Sequence, residues 1–350
     1  MSLFVDKYTP TSFDHVKFNQ EAAKQLRACA NFDQLSHLII KGGEGTGRKT
    51  FANLYIKAKY HENIRTRYRP VDIKNGSKII SLQMLYSDYH YQIDPSIHGV
   101  YDRIIIQGFI KDILQTKPIS KIPYHIVIIS NADRLTFEAQ QSLRRTLEKN
   151  ISNCRFIFIV NQESTLIEPL ISRCAQIRLS APTDLETLTV LRQICITEQI
   201  PSTDHQLSQV VRYSKRNLSR AINCIQYIHL NCPKSLSDQS VIDFDQINVN
   251  DRFLHDLARE LLVSDTPQDI IRLRTALYDL LVQCVEPIKI LKGIFYAVLD
   301  HLNNQSQSDT QKYQLVQILI KYEDALKQGS KPIYPLEGMC VSIINLLNDV

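Results

Sequence analysis

The stretch Leu38-Ile39-Ile40-Lys41-Gly42-Gly43-Glu44-Gly45-Thr46-Gly47-Arg48-Lys49-Thr50 decides the class of fold. A strand-sized apolar run enters a glycine-rich turn, and a helical segment follows. Glycines let backbone N–H groups turn toward phosphate oxygens, and the positive end of the next helix adds attraction. A competent phosphate loop reads GxxxxGK[ST], with lysine on the outer phosphates and a hydroxyl on magnesium. Gly42 and Gly47 fit, but Arg48 occupies the lysine place and Lys49 the hydroxyl place. A guanidinium forks well onto phosphate, so binding stays open, whereas Thr50 stands one residue late for a metal.

Outward from this loop, apolar runs at 38–40, 126–129 and 156–160 alternate with amphipathic stretches as far as Ser180. That alternation predicts an α/β domain with a parallel sheet buried on both faces. After Ala181-Pro182 the pattern turns helical, with Thr183 or Asp184 placed to cap a helix through Leu185, Leu188 and Leu191. The polar stretch from Asn231 to Ser240 reads as a linker, and amphipathic helices follow Asp251, broken near Pro267, Pro287 and 303-NNQSQSDT-310. At 350 residues two or three domains are expected. The boundaries fall at 1–180, 181–245 and 246–350.

Composition excludes several classes. With 44% hydrophobic and 22% charged residues the chain reads as folded and soluble, and no apolar run is long enough to span a membrane. The amino-terminal MSLFVDKYTP lacks the apolar core of a secretory signal. Eight cysteines show no CxxC pair, which predicts reduced, mostly buried thiols and no metal site. A net charge of +5 is compatible with a polyanion partner without establishing one.

The second half of an ATPase site is an apolar strand ending in Asp-Glu, the aspartate in the magnesium shell and the glutamate activating water. Here Ile126-Val127-Ile128-Ile129 runs into Ser130-Asn131-Ala132-Asp133. Neither Ser130 nor Asn131 can act as a base near neutral pH, and loss of a general base alone costs roughly 10²–10⁴ in rate. Hydrolysis in this site is therefore not expected, while ATP or ADP binding is; magnesium is left open. Asp133 reads as a helix-leading residue before Leu135 rather than as a replacement acid.

The segments 2-SLFVDKYTPTSF-13, the loop through Thr50, 138-EAQQSLRRTLEK-149, 160-VNQESTLIEPLISRCAQIRL-179, 274-RTALYDLLVQC-284 and 336-LEGM-339 together resemble the small subunits of replication factor C, the sliding-clamp loader. The likeness is strongest to the subunit 3/5 type, whose own ATP site is degenerate. It implies an AAA+ (RecA-like) domain, a three-helix lid and an all-α collar that joins five subunits in a ring. It further implies a nuclear role in DNA replication and repair, with the other replication factor C subunits, a ring-shaped clamp of the proliferating cell nuclear antigen type and primer-template DNA as partners.

The resemblance carries residue roles with it. Arg173, in Ser172-Arg173-Cys174, becomes an arginine finger for the neighbour's nucleotide, and such an arginine is worth about 10³–10⁵ in comparable systems. Gly42, Gly43, Glu44, Gly45, Thr46, Gly47, Arg48, Lys49 and Thr50 form the phosphate loop, with Asn161 as the sensor at a strand end. Arg220 is a lid contact displaced by one position in 216-RNLSR-220. Basic residues from Lys57 to Arg69, above all Arg65 and Arg67, with Arg134, are candidate phosphate contacts for DNA. The segment from Ile104 to Leu114 is apolar at seven of eleven positions and sweeps roughly 180° of a helical wheel, wider than one sheet requires. The surplus suggests contact with another surface, and the resemblance, in which the corresponding helix abuts the clamp, makes Ile105, Ile106 and Phe109 candidates for touching it. Two other readings stay open: an autonomous AAA+ ATPase using Arg48, Lys49 and Asp133, and a subunit that serves as scaffold alone.

Overall fold

The computed structural model describes residues 2–31, 37–60, 64–75, 78–115, 124–149, 153–231, 249–263, 267–304, 309–329 and 331–348. All but the first residue of the expected linker 231–240 lies outside them. The chain falls into two compact units, Met1–Ile242 and Asp243–Val350.

The first unit is built on seven strands: β1 His37–Gly42, β2 Arg67–Asn75, β3 Lys78–Tyr86, β4 His90–Ile93, β5 His125–Ile129, β6 Cys154–Val160 and β7 Cys174–Leu179. Their order is β2-β3-β4-β5-β6-β1-β7. The four pairings from β4 through β7 are parallel, as the alternating sequence predicts. The β2–β3 hairpin and its pairing to β4 are antiparallel, an extension that the apolar runs alone did not announce.

Period-two alternation explains why both faces are dry. Leu38, Ile40, Ile126, Ile128, Ile157 and Ile159 face helices α2 (Gln20–Asn31) and α3 (Arg48–Tyr60). Ile39, Val127, Ile129, Phe156, Phe158 and Val160 face the opposite layer, which contains α4 (Asp102–Gln115) and α5 (Phe137–Lys149). Each such side chain contributes about 1.5–3 kcal/mol through burial, so the sheet is the main source of this unit's stability. His37, also buried, accepts the Phe156 backbone N–H on Nδ1 at 3.1 Å, and burial lowers its pKa to about 4; it is a neutral strut.

The wide apolar face of α4 is satisfied inside this unit. Ile105, Ile106 and Phe109 are 0–2% exposed and belong to the same core as Ile73 and Leu82 of the hairpin. The hairpin lies so close to the helix that a Cβ on Gly108 would stand 2.8 Å from Ile73 Cγ2. This burial speaks against Ile105, Ile106 and Phe109 touching a clamp: the sheet below and the hairpin beside the helix already cover these three side chains. The Leu114 side chain lies outside the described residues.

Among the described residues, three helices follow the short α6 (Glu168–Ile171) in the first unit: α7 Asp184–Thr197, α8 Asp204–Ser214 and α9 Leu218–Asn231. Thr183 caps α7 in a reciprocal pair with Glu186, which satisfies two otherwise unmatched donors, and Thr203 with Gln206 does the same for α8. The short α1 (Phe4–Lys7) is tied to these helices. Phe4 is buried, its N–H donates to Gln226 Oε1 at 2.8 Å, and Lys7 and Tyr8 both reach Glu198. The second unit contains α10 Val249–Val263, α11 Pro267–Val282, α12 Pro287–Asn304, α13 Asp309–Gln328 and α14 Ile333–Asn348. They enclose a core that includes Leu257, Leu277, Ile294 and Leu336.

Candidate nucleotide site and a distant arginine

β1 ends at Gly42 and α3 begins at Arg48, so residues 43–47 form the strand-to-helix turn expected of a phosphate loop. Gly45 and Gly47 have φ of +74° and +81°, a region open to glycine at little cost. Thr46 is fully buried, and its hydroxyl donates to the Gly43 carbonyl at 2.8 Å, bracing the turn. A Cβ on Gly42 would stand 2.8 Å from the Leu179 carbonyl, so strand β7 fixes glycine there. Gly43, Glu44 and Lys49 are exposed.

Beside the loop lies a cavity of about 460 Å³ lined by Gly45, Gly47, Thr50 and Phe51 together with apolar side chains from two directions. Tyr8, Pro10 and Phe18 approach from the amino-terminal segment, and Ile194, Leu218 and Ile222 from the helices after Thr183. An apolar slot of this size next to a phosphate-cradling turn suits a purine nucleotide. Arg48 Nη1 is buried with no hydrogen-bond partner among the described residues. Burial lowers the guanidinium's pKa, an effect opposed by the charges of Asp133 and Glu44. A donor of that kind at the head of a glycine turn fits an anionic ligand, so the residues present fit a nucleotide's phosphates.

At the carboxyl ends of the neighbouring strands, Ser130 is 2% exposed and its Oγ accepts from Gln92 Nε2 at 3.0 Å. Asn131 adopts φ +50° and its Nδ2 donates to Asp94 Oδ2 at 2.5 Å. Both side chains are therefore hydrogen-bonded to residues of or just after β4. Asn161, one residue past β6, donates to Asp133 Oδ2 at 3.2 Å. Asp133, read from sequence as a helix-leading residue and as the acid of the rival ATPase, stands in a short 3₁₀ turn and acts electrostatically on Arg48.

The lid contact differs from expectation. Arg220 packs its guanidinium over the Tyr213 ring at 4.6 Å and does not line the cavity. Asn217 is the residue brought to the loop: a Cβ on Gly45 would stand 2.1 Å from Asn217 Oδ1, which also accepts the Arg220 N–H at 3.0 Å at the start of α9. Arg134 lies within electrostatic range of Arg48, so its charge acts at this end of the sheet. Arg65 and Arg67 are exposed beside or on the edge strand β2, whereas Lys59 and Tyr55 from the same basic stretch are buried.

Arg173 is elsewhere. It immediately precedes β7, whose first residue Cys174 pairs with His37 while Leu179 pairs with Gly42. Five strand residues, roughly 16 Å, separate the arginine's end of the sheet from the phosphate loop. There the guanidinium is held by the Pro169 carbonyl at 2.8 Å and by Glu148 Oε1 at 2.6 Å, with a third of its side chain exposed.

Two family models match the chain: "Replication factor C subunit 3, C-terminal domain" over 251–350 and "DNA polymerase III, delta subunit" over 18–183. Replication factor C subunit 3 of Bos taurus is 31% identical, with 99% of this chain and 96% of the relative aligned. Subunit 5 of Saccharomyces cerevisiae is 31% identical across 99% and 100%. Among solved structures, the Thermotoga maritima RuvB branch-migration motor shares the fold at TM-score 0.51 and 13% identity, over 73% of this chain and 79% of that one. A phosphate loop on a parallel-dominated sheet, followed by helices, and relatives of this identity along nearly the whole length place the chain in the replication factor C family of clamp-loader subunits.

Proposed function

We propose that this chain is a subunit that binds ATP or ADP without hydrolysing it and lends Arg173 to the nucleotide of an adjoining subunit. The observation that carries this reading is the separation just described: Arg173 and the chain's own phosphate loop lie at opposite ends of the β1–β7 pair. An arginine so placed cannot serve its own site, yet it is presented at a surface where a second subunit can receive it. In the proposed division the AAA+ part is 1–180, the lid 181–245 and the collar 246–350, and the chain joins the other replication factor C subunits in a ring of five. The assembly acts in the nucleus, in replication and repair, opening a sliding clamp and placing it on primer-template DNA.

The purified chain, given ATP and magnesium, is expected to release phosphate at the uncatalysed background rate. The competing reading, a rearranged autonomous ATPase, draws on Asp133 beside Arg48 and Asn161. Magnesium-dependent turnover that disappears in Asp133→Asn would establish that reading instead.

Arg65 and Arg67 suit DNA, because phosphate tracking requires exposed charge and no base code. In the assembled loader, replacing each by alanine is expected to weaken DNA binding equally for all sequences and to reduce the salt slope by about one per arginine. An unchanged slope would remove them from the DNA path.

A further inference from the structure

We infer that nucleotide binds this site without a divalent cation, the Arg48 guanidinium acting where magnesium acts in a competent ATPase; the inference rests on the nucleotide-binding reading above. Magnesium in phosphate-loop sites is held by the hydroxyl after the lysine and by an aspartate at a strand end, in near-ideal octahedral oxygen geometry. None of those positions offers the required group. The hydroxyl place holds Lys49, exposed and cationic. The aspartate place holds Ser130, neutral, with its oxygen already accepting from Gln92. The glutamate place holds Asn131, turned by its positive φ onto Asp94.

The carboxylates nearby are exposed or committed: Glu44 stands exposed on the loop, and Asp94 accepts from Ser96 and Asn131. Asp133 accepts from Asn161 through Oδ2 and acts electrostatically on Arg48. A divalent ion bound to Asp133 would therefore meet a guanidinium as well. The buried Oδ1 atoms of Asp133 and Asn161 lack partners among the described residues; magnesium needs only one or two protein oxygens beside water and phosphate, but an ion held there would share Asp133 with the Arg48 guanidinium. Among the described residues no group of three or more His, Cys, Asp or Glu side chains is placed to hold a metal ion. Arg48 Nη1, buried and without a partner, supplies the opposite chemistry: a permanent cation with donors in a fork that matches phosphate oxygens.

The test is equilibrium binding of ADP and ATP to the full chain, by calorimetry, in magnesium chloride and in EDTA. The affinities are expected to agree within about twofold, and manganese added with ADP is expected to give no nucleotide-dependent bound-ion signal in electron paramagnetic resonance. Arg48→Gln is expected to weaken binding in EDTA by about 10²-fold, without rescue by magnesium. A tightening of about tenfold or more with magnesium, or a bound manganese signal, would overturn the inference while leaving nucleotide binding intact. Absence of binding in both buffers would overturn the nucleotide reading itself and this inference with it.

Discussion

Replacing Arg173 by alanine in the reconstituted loader is expected to slow hydrolysis at the adjoining subunit's nucleotide by about 10³-fold, with that nucleotide's affinity changed far less. The split follows from where the charge is needed. A guanidinium presented across an interface acts on charge that develops as the phosphoryl group transfers, so its removal appears in kcat more than in ground-state binding. Arg173→Lys is expected to recover only part of the loss, because an ammonium lacks the planar fork. Single-turnover measurement at that one site isolates the effect from the ring's other nucleotides. A loss below about threefold would reduce the chain to a scaffold.

The second large effect concerns α4. Ile106→Ala is expected to destabilise the first unit by about 2–5 kcal/mol, the cost of emptying a fully buried isoleucine site, read as a lower urea midpoint. Were Ile106 a clamp contact, the same change would leave folding intact and weaken clamp binding alone. Among the described residues, Ile97 and Tyr101, on the turn that leads into this helix, are exposed apolar side chains. Urea unfolding with the midpoint unmoved by Ile106→Ala would contradict the burial described above.

The parts of the fold legible in sequence are those set by a strong local period. Leu38–Ile40, Ile126–Ile129 and Phe156–Val160 alternate between two dry faces, so their runs are continuous and readable as parallel strands. The β2–β3 hairpin was not legible because its polar residues, Arg67, Arg69 and Asp72 among them, line an edge strand whose apolar Ile73 is spent on α4. That hidden contact also misled the reading of α4. A helical wheel counts apolar residues but cannot say how many surfaces inside the chain are waiting for them.

The site shows the same limit. The phosphate loop was legible because glycines at fixed spacing have one dominant physical use, and Gly45 and Gly47 do take positive φ. Asp133 was read only as part of the rival ATPase and Asn217 was missed, because their importance comes from position in space. One reaches Asn161 across 28 residues of chain, and the other comes to Gly45 from the start of α9. Arg220 was expected one residue late in its motif and in the event stacks on Tyr213, where an aromatic face holds its charge.

The most direct test of the division of labour is a cryo-microscopy map of the assembled loader bound to a non-hydrolysable ATP analogue. The account predicts that Arg173 leaves Glu148 and places its guanidinium about 2.7–2.9 Å from a terminal phosphate oxygen on the adjoining subunit. Arg173 still paired with Glu148, with no phosphate near it in a fully assembled and nucleotide-filled ring, would contradict it.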